Sequence, residues 1–354
     1  MATSSRQLFR VSTDDRGAHG PPLRFIAKLR HYLRVIWTYL RRRVVLEYVP
    51  EDISLEVTNV CNFRCRFCPQ SAPQHHRYVS KTYLSPQRAE LILGRLRAAG
   101  VRTNVIHWTH DGEPFVNKRF HEICAVAARY GFTEMYFATD GMLCTRDRLE
   151  QLPRGPCAYT FTIDFSADAE TFETIRGTPG SWARVAANIR HILNAASCRH
   201  IVVELREITP FSVDAPDRVA TRQARLREMF PTHPRLRLLS KTFHNACGFL
   251  PAKRSSHRYH LCPYPWTSLS IAANGNVVAC SRDLRHQTVL GNILHQDLWE
   301  IWNGAPMRRM RRNLIAKRPD RNGACAGCDM PYAKDKFALK NIFTTLRGRL
   351  RLFT

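Results

Sequence analysis

Three closely spaced cysteines constrain this chain more than any other feature of its sequence. Cys61, Cys65 and Cys68 follow a short apolar stretch, and their spacing predicts a tight loop in which three thiolates converge. Three thiolates can hold a [4Fe–4S] cluster by three of its irons and leave the fourth iron open. An open coordination position is typical of a reactive metal site. The alternative is a zinc loop completed by His75 or His76, but zinc loops usually combine two distant pairs of cysteines.

At these residues the sequence resembles the radical S-adenosylmethionine (radical SAM) superfamily, whose loop is C-x-x-x-C-x-x-C with an aromatic residue before the last cysteine. Phe67 occupies that aromatic position. The resemblance implies that the open iron of the cluster binds the amino and carboxylate groups of S-adenosylmethionine. Reduction by a donor such as flavodoxin or ferredoxin would then give a 5′-deoxyadenosyl radical. In such enzymes the cofactor carries the hard chemistry and the protein orients it.

Strand and helix patterns alternate from about residue 53 to residue 241. The predicted strands are 53–58, 104–108, 134–138, 159–163, 201–207 and 236–239. The predicted helices between them are 86–99, 120–130, 146–152, 181–196 and 219–230. Repeated βα units predict a parallel sheet with right-handed crossovers. Six units are fewer than the eight of a closed barrel. With the resemblance, they predict an α/β fold: a partial (β/α)6 TIM-like barrel with a small C-terminal α+β iron–sulfur domain.

Short motifs follow the predicted strands, where such barrels collect their chemistry. The stretch 110–114 (H-D-G-E-P) resembles the family's G-G-E-P segment, 139–141 (T-D-G) resembles T-N-G, and 162–164 (T-I-D) occupies the S-x-D position. The resemblance implies that Glu113 and the backbone beside it hold the methionyl ammonium, that Asp164 binds the ribose, and that Arg206 pairs with the methionyl carboxylate. The predicted cofactor-binding residues are Phe67, Gly112, Glu113, Pro114, Thr139, Asp164 and Arg206.

A second set of cysteines follows in the C-terminal part of the chain: Cys262, Cys280, Cys325 and Cys328. The apolar stretch 267–271 and the turn residues 274–276 predict a hairpin between the first two. This pattern resembles the SPASM or shorter "twitch" extension of radical SAM enzymes, which implies four ligands for one auxiliary [4Fe–4S] cluster. A zinc site with four cysteines remains the alternative.

Five cysteines lie outside both sets, and one of them has a suggestive position. Cys247 is predicted at the mouth of the barrel, where the auxiliary domain begins, and is a candidate catalytic hydrogen donor. A buried structural cysteine is the commoner role of such a residue.

The charge of the chain is the remaining feature that indicates which surfaces or molecules it could bind. The net charge is +25, and the segment 24–43 is basic with helical spacing of its apolar residues. This basic amphipathic helix is expected either to pack on the catalytic domain or to lie on an anionic membrane surface. With no secretory or membrane-spanning segment in the sequence, metal-bound thiolates in a reducing cytoplasm are expected. Nucleic acid is not an expected partner.

The predicted organisation is a tail (1–20), the basic helix (21–50), a radical SAM core (51–245), an auxiliary-cluster domain (246–335) and a basic tail (336–354). We expect an oxidoreductase that abstracts hydrogen from a small carbohydrate- or aminocyclitol-like substrate and dehydrogenates it. The alternatives are a radical SAM epimerase with a thiol hydrogen donor and a peptide-modifying maturase. A more remote one is a non-catalytic, metal-stabilised protein that binds nucleic acid or membranes.

Overall fold

The computed structural model describes residues 21–208, 216–240, 244–250 and 258–332. The chain forms two compact units, residues 1–43 and 44–354. In the first unit the predicted basic helix is present as α1 (Pro21–Leu40). The predicted tails 1–20 and 336–354 lie outside the described residues. Among the described helices, none combines the length and the apolar character that a membrane span requires.

The second unit is built on one sheet that has nine strands within the described residues. They are β1 (Asp52–Leu55), β2 (Val105–Trp108), β3 (Glu134–Thr139), β4 (Ala158–Phe165), β5 (Ile201–Glu207), β6 (Leu236–Ser240), β7 (Ser268–Ile271), β8 (Asn276–Val278) and β9 (Val289–Asn292). Their spatial order is β6-β5-β4-β3-β2-β1-β7-β8-β9. Strands β1 to β6 pair in parallel with their neighbours, so the six-unit open barrel predicted from the sequence is confirmed.

Helices follow the strands of the barrel and cover its outer face. They are α2 (His75–Tyr78), α3 (Pro86–Ala98), α4 (Phe120–Arg129), α5 (Arg146–Glu150), α6 (Ala169–Arg176), α7 (Trp182–Asn194) and α8 (Pro216–Met229). Ser85 caps α3 by accepting a hydrogen bond from the backbone N–H of Arg88, and Pro86 occupies the first helical turn. Both residue types are favoured at these positions, which is why the start of this helix was predictable.

The C-terminal domain prolongs the sheet of the barrel. Strand β7 pairs in parallel with β1 from Asp52↔Ser268 to Leu55↔Ile271. Strands β8 and β9 then continue the sheet in antiparallel fashion. The remaining helices are α9 (Tyr264–Thr267), α10 (Leu298–Trp302), α11 (Ala305–Ile315) and α12 (Gly323–Ala326). Because β1 is shared, the first cysteine loop and the auxiliary domain are anchored to the same strand.

The two faces of β4 show how the barrel separates packing from chemistry. Tyr159, Phe161 and Ile163 are at most 1% exposed, and Phe161 packs edge-on against Phe137 with ring centroids 5.0 Å apart. Successive side chains of a strand point to opposite faces. Residues 160, 162 and 164 are therefore on the other, inner face, and all three are polar.

Candidate active site

The first cysteine loop leaves the carboxyl end of β1. Cys65 is 7% exposed, whereas Cys61 and Cys68 are half-buried. The backbone N–H of Phe63 donates to the sulfur of Cys61 (3.4 Å), and the N–H of Cys68 donates to the carbonyl of Cys65 (3.1 Å). These bonds fold the loop tightly, as the spacing predicted.

Aromatic packing under this loop comes from a residue that the sequence motif did not single out. Phe63 is 1% exposed and packs edge-on against Phe172 of α6, with ring centroids 6.4 Å apart. Phe67, the motif's aromatic residue, is only half-buried. Phe63 therefore anchors the loop to the barrel, and a contact of Phe67 with the cofactor stays a prediction.

Two glycines allow neighbouring segments to approach the loop closely. Gly112 has φ +67°, and a Cβ there would lie 2.3 Å from the carbonyl oxygen of Thr58. Gly177 has φ +63°, and a Cβ there would lie 2.1 Å from the carbonyl oxygen of Arg64. Any side chain would collide with the loop backbone, and the left-handed conformation itself favours glycine. The glycine of the G-E-P segment and Gly177, which follows Arg176 at the end of α6, are thus required by the packing of the loop.

Arg176 is a buried cation next to the cysteines, and it was not among the site residues predicted from the sequence. Its side chain is 6% exposed, its guanidinium lies 3.6 Å from Asp164 Oδ2, and it sits 5.0 Å from the centre of the Phe63 ring. Burial lowers the pKa of Arg176, but Cys65, Asp164, Asp140 and Cys61 outweigh burial and raise it. A fixed positive charge beside thiols favours their ionised, metal-binding form. The Arg-Gly pair at the end of α6 was the only sequence signal for this role.

Glu113 is held in place by three hydrogen bonds. Its Oε1 accepts from the backbone N–H of Phe115 (3.0 Å) and from the hydroxyl of Thr139 (2.9 Å). Its Oε2 accepts from the backbone N–H of Asp140 (2.7 Å). The residue is 2% exposed, and burial, with the nearby Asp140 carboxylate second, raises the pKa of Glu113 to about 8. A buried carboxylate of this kind gains most from a cationic partner, so the site fits an ammonium group.

The remaining candidates for S-adenosylmethionine lie on neighbouring strands. Asp164 of β4 is directly opposite Arg206 of β5 in the register. Two residues earlier on the same face, the hydroxyl of Thr162 donates to Glu204 Oε2 at 3.3 Å. Pro114 is buried in the turn after Glu113. The structure thus brings Asp164 and Arg206 together on the inner face, while their assignments to ribose and carboxylate stay predictions.

The auxiliary cysteines converge from separate segments. Cys262, Cys280, Cys325 and Cys328 line one cavity, whose volume is about 370 Å³ including its solvent-open part. All four are free thiols and half-buried. This donor set fits an all-cysteine cluster, for which thiolates are the usual ligands.

Cys247 belongs to this same site, whereas the sequence predicted only that it lies at the domain junction. It lines the cavity of the four cysteines, and its thiol is hydrogen-bonded to the sulfurs of Cys280 and Cys328. The bond from Cys247 lowers the pKa of Cys280 to about 7. Cys247 also borders a second cavity lined by Pro69, the residue after Cys68. It therefore lies between the two cysteine sites.

A pair of reciprocal bonds fixes the segment that carries Cys247. The side-chain amide of Asn245 donates to the carbonyl of Gly327 (2.6 Å). The backbone N–H of Asn245 donates to Asp329 Oδ2 (3.1 Å). The N–H of Asp329 in turn donates to Asn245 Oδ1 (3.2 Å). This clamp joins residues 245–248 to the turn that holds Cys325 and Cys328.

His75, the residue considered for a zinc loop, has a different partner. Its Nε2 lies 2.6 Å from Asp111 Oδ2, and its side chain is fully buried. Asp111, which replaces the first glycine of the family's motif, also accepts a hydrogen bond from the N–H of Gly112 (2.9 Å). The aspartate therefore stabilises the G-E-P turn while it binds His75.

Comparison with known proteins agrees with this geometry. The family model described as "Radical SAM superfamily" matches residues 55–204, and the SPASM model, described as "Iron-sulfur cluster-binding domain", matches residues 262–329. A GTP 3′,8-cyclase of Edwardsiella ictaluri is 30% identical over 138 residues, which are 39% of this chain and 40% of that protein. An AdoMet-dependent heme synthase of Methanosarcina barkeri is 28% identical over 156 residues, 43% of this chain and 42% of that protein. The chain thus matches about two fifths of the length of these curated relatives.

Solved structures share the fold over a larger part of the chain. The structure of BtrN in complex with AdoMet and 2-DOIA has a TM-score of 0.54 at 19% identity, covering 80% of this chain and 94% of that one. Native anSMEcpe with bound AdoMet has a TM-score of 0.54 at 11% identity, covering 84% and 98%. The motif matches, the two cysteine sites and this fold agree on [4Fe–4S] clusters and S-adenosylmethionine as cofactors. The chain belongs to the radical SAM superfamily and carries a C-terminal SPASM iron–sulfur domain.

Proposed function

We propose that this radical SAM enzyme is an oxidoreductase that dehydrogenates a small, hydroxyl-bearing substrate of the carbohydrate or aminocyclitol class. The observation that carries the proposal is the auxiliary site, where four cysteines and Cys247 line one cavity. A site supplied with a full set of thiols leaves no coordination position for substrate and is suited to electron transfer. A substrate radical that loses an electron gives an oxidised product.

When bound, the clusters and S-adenosylmethionine supply the 5′-deoxyadenosyl radical and the electron transfer. The protein supplies position and charge. Glu113 is placed to hold the methionyl ammonium because its two oxygens are already fixed by Phe115, Thr139 and Asp140. Asp164 and Arg206, opposite each other on β4 and β5, provide a carboxylate and a guanidinium for the ribose and the methionyl carboxylate.

The inner face of the barrel supports a polar substrate. Ser54, His107, Tyr136 and Thr160 follow one another in the register of β1 to β4. Side chains in register share a face of the sheet, and Thr160 shares its face with Thr162 and Asp164. His107 Nε2 also lies 3.4 Å from Asp52 Oδ1. A row of hydroxyl, imidazole and carboxylate groups on the face of the sheet that carries Asp164 suits a substrate with several hydroxyl or amino groups. The BtrN structure, which contains 2-DOIA, has the same fold.

The test is anaerobic turnover of the reconstituted enzyme with a panel of aminocyclitols, sugars and short peptides. A dehydrogenase forms one 5′-deoxyadenosine for each product molecule that has lost two hydrogen atoms. Cys247→Ala should keep forming that product. A product with the mass of the substrate in H2O and one deuterium in D2O would instead establish epimerisation, and turnover confined to peptides would establish a maturase.

Epimerisation is the second candidate because of one observation. Cys247 borders the cavity next to Pro69 as well as the auxiliary site, so a thiol lies between the two cysteine sites. A thiol hydrogen donor must return a hydrogen atom to the substrate. In an epimerase, Cys247→Ala would still form 5′-deoxyadenosine but would stop delivering the inverted product.

Peripheral membrane contact through α1 is a separate proposal. It rests on the basic amphipathic pattern of Pro21–Leu40. The full chain should then co-sediment with vesicles that contain phosphatidylserine at low salt and be released as salt rises, because the attraction is partly electrostatic. Absence of co-sedimentation at low salt would exclude this contact.

A further inference from the structure

A third cluster of polar side chains contains none of the cysteines. Glu56 follows β1, His110 follows β2, and His286 lies between β8 and β9 of the C-terminal domain. One ligand atom from each of these residues lies within 4.8 Å of the other two. The side chains of His110 and Glu56 are 0% and 2% exposed. The cluster therefore joins the carboxyl ends of two barrel strands to the auxiliary domain.

The hydrogen bonds of the cluster leave imidazole nitrogens unsatisfied. His110 Nδ1 lies 2.7 Å from Glu56 Oε2, and the backbone N–H of Ala273 donates to Glu56 Oε1 (3.1 Å). His110 Nε2 and His286 Nε2 are buried and have no hydrogen-bond partner within the described part of the chain. Buried polar atoms without a partner are costly and uncommon, so two such nitrogens in one cluster point to a bound ligand.

The surroundings also contain buried acidic groups. Glu56, Asp111 and Asp283 are 2%, 5% and 1% exposed. Asp283 accepts hydrogen bonds from the backbone N–H groups of Gln287 (2.8 Å) and Thr288 (3.0 Å). Across residues 21–208, 216–240, 244–250 and 258–332, none of the three carboxylates forms an ion pair with Lys or Arg, and the partners of Glu56 and Asp111 are the imidazoles of His110 and His75. A buried acidic cluster of this kind favours a bound cation.

We propose that Glu56, His110 and His286 bind one divalent first-row transition-metal ion, in addition to the two iron–sulfur clusters. Two imidazoles and one carboxylate are ligands that suit zinc and its neighbours. Three protein ligands leave a coordination position for water or for a polar group of a substrate. Because His286 belongs to the C-terminal domain and the other two ligands to the barrel, the ion also ties the two domains together.

The experiment uses the full chain with both clusters reconstituted, and Zn²⁺ as the probe. After anaerobic incubation with zinc sulfate and gel filtration, zinc, iron and sulfide are measured per chain. One zinc per chain is expected, with nitrogen and oxygen neighbours at about 2.0–2.2 Å and no sulfur at about 2.3 Å by zinc K-edge X-ray absorption. Sulfur neighbours would place the zinc on cysteines and overturn the proposal.

Variants distinguish zinc bound by these three residues from zinc bound adventitiously elsewhere on the protein. His286→Ala should remove the zinc and leave iron and sulfide unchanged, whereas His295→Ala, an exposed histidine of the same domain, should retain it. Glu56→Gln keeps the volume of the side chain and removes its charge, so zinc affinity should fall at least tenfold. Zinc retained in His286→Ala, or absent from the unmutated holoenzyme, would show that the cluster is a network of protonated imidazole and carboxylate only.

Discussion

The two cysteine sites of this protein are assembled in different ways. The first uses three cysteines within one loop, residues 61–68. The auxiliary site draws its thiols from separate segments spread over residues 247–328. A reactive site can therefore be specified by a local motif, whereas the auxiliary site exists only when the C-terminal domain is folded.

The contacts around each site reflect this difference. The first loop is shaped by close backbone packing on Gly112 and Gly177, which needs no metal. The auxiliary site depends on the clamp between Asn245 and Asp329, which closes a separation of 84 residues. A metal that joins distant segments adds directly to folding stability. We therefore expect the auxiliary ligands to matter more for stability and the first loop to matter more for activity.

The largest expected effect is on activity. Replacing Cys61, Cys65 and Cys68 together by Ala should abolish reductive cleavage of S-adenosylmethionine, because no thiolate remains to hold the first cluster. The measurement is 5′-deoxyadenosine formed with dithionite after reconstitution. Auxiliary iron and sulfide should persist in this variant. Retained cleavage would show that these three cysteines do not hold the cluster that cleaves S-adenosylmethionine.

The contribution of the auxiliary ligands to folding stability is tested by the double variant Cys325→Ala/Cys328→Ala. Loss of the ligands that join α12 to the rest of the auxiliary site should lower the free energy of unfolding by about 4 kcal/mol or more, in the range of lost metal sites. Anaerobic urea unfolding followed by circular dichroism measures it. The triple variant of the first loop should lose less stability than this double variant; the reverse order would contradict the comparison.

The same contrast explains how much the sequence could predict. The six barrel strands and the helices between them followed from alternating periodicity. Helices α3 and α4 are each followed by a glycine with positive φ, +95° at Gly100 and +77° at Gly131. The motifs at the strand ends could also be predicted, because each is a short continuous stretch of sequence. The pairing of β7 with β1 was not predictable, because a hairpin pattern does not say which strand it joins.

Side-chain partners across long sequence separations were equally hidden. Nothing in the sequence placed His286 near His110 or Cys247 against Cys280, since loop conformation in the C-terminal domain decides both contacts. The buried position of Phe63 and the charge of Arg176 beside the cysteines likewise depend on how α6 packs on the loop. Local spacing identified the ligands, whereas tertiary packing determined the groups that surround them.

A matched pair of glycines tests whether the first loop is preformed by backbone packing. Gly177 and Gly180 both have positive φ, +63° and +72°, but a Cβ at Gly180 meets nothing within 4 Å. Alanine should cost about 1–2 kcal/mol at either position from the left-handed conformation alone. Only Gly177→Ala collides with the carbonyl of Arg64, so it should also displace the loop and lower S-adenosylmethionine cleavage by about 100-fold. Equal activity of the two variants would show that the loop adapts.

The smallest expected effect is that of changing Glu113. This residue should affect both the affinity for S-adenosylmethionine and the stability of the cofactor-free protein. Glu113→Gln keeps the side-chain volume and removes the charge that is proposed to face the methionyl ammonium. A lost charge-assisted hydrogen bond is worth about 1.5–3 kcal/mol, so affinity for S-adenosylmethionine should fall about tenfold or more while both clusters persist. Equilibrium dialysis measures the affinity, with Glu122→Gln, an exposed glutamate, as the control. Unchanged affinity would place the ammonium elsewhere.

The same variant should behave in the opposite way when the cofactor is absent. Burial, reinforced by Asp140, raises the pKa of Glu113 from 4.5 to about 8. A raised pKa means that ionising this carboxyl destabilises the folded protein, so the destabilisation is absent below pH 4.5 and grows as pH rises to about 8. Glu113→Gln removes it. Between pH 6 and pH 8 the cofactor-free variant should therefore lose less thermal stability than the unmutated protein, and S-adenosylmethionine should restore more stability to the unmutated protein. A variant that is less stable at pH 8 would show that the three hydrogen bonds to the carboxylate outweigh its burial. In that case the first site would owe its shape to Glu113 as much as to its glycines.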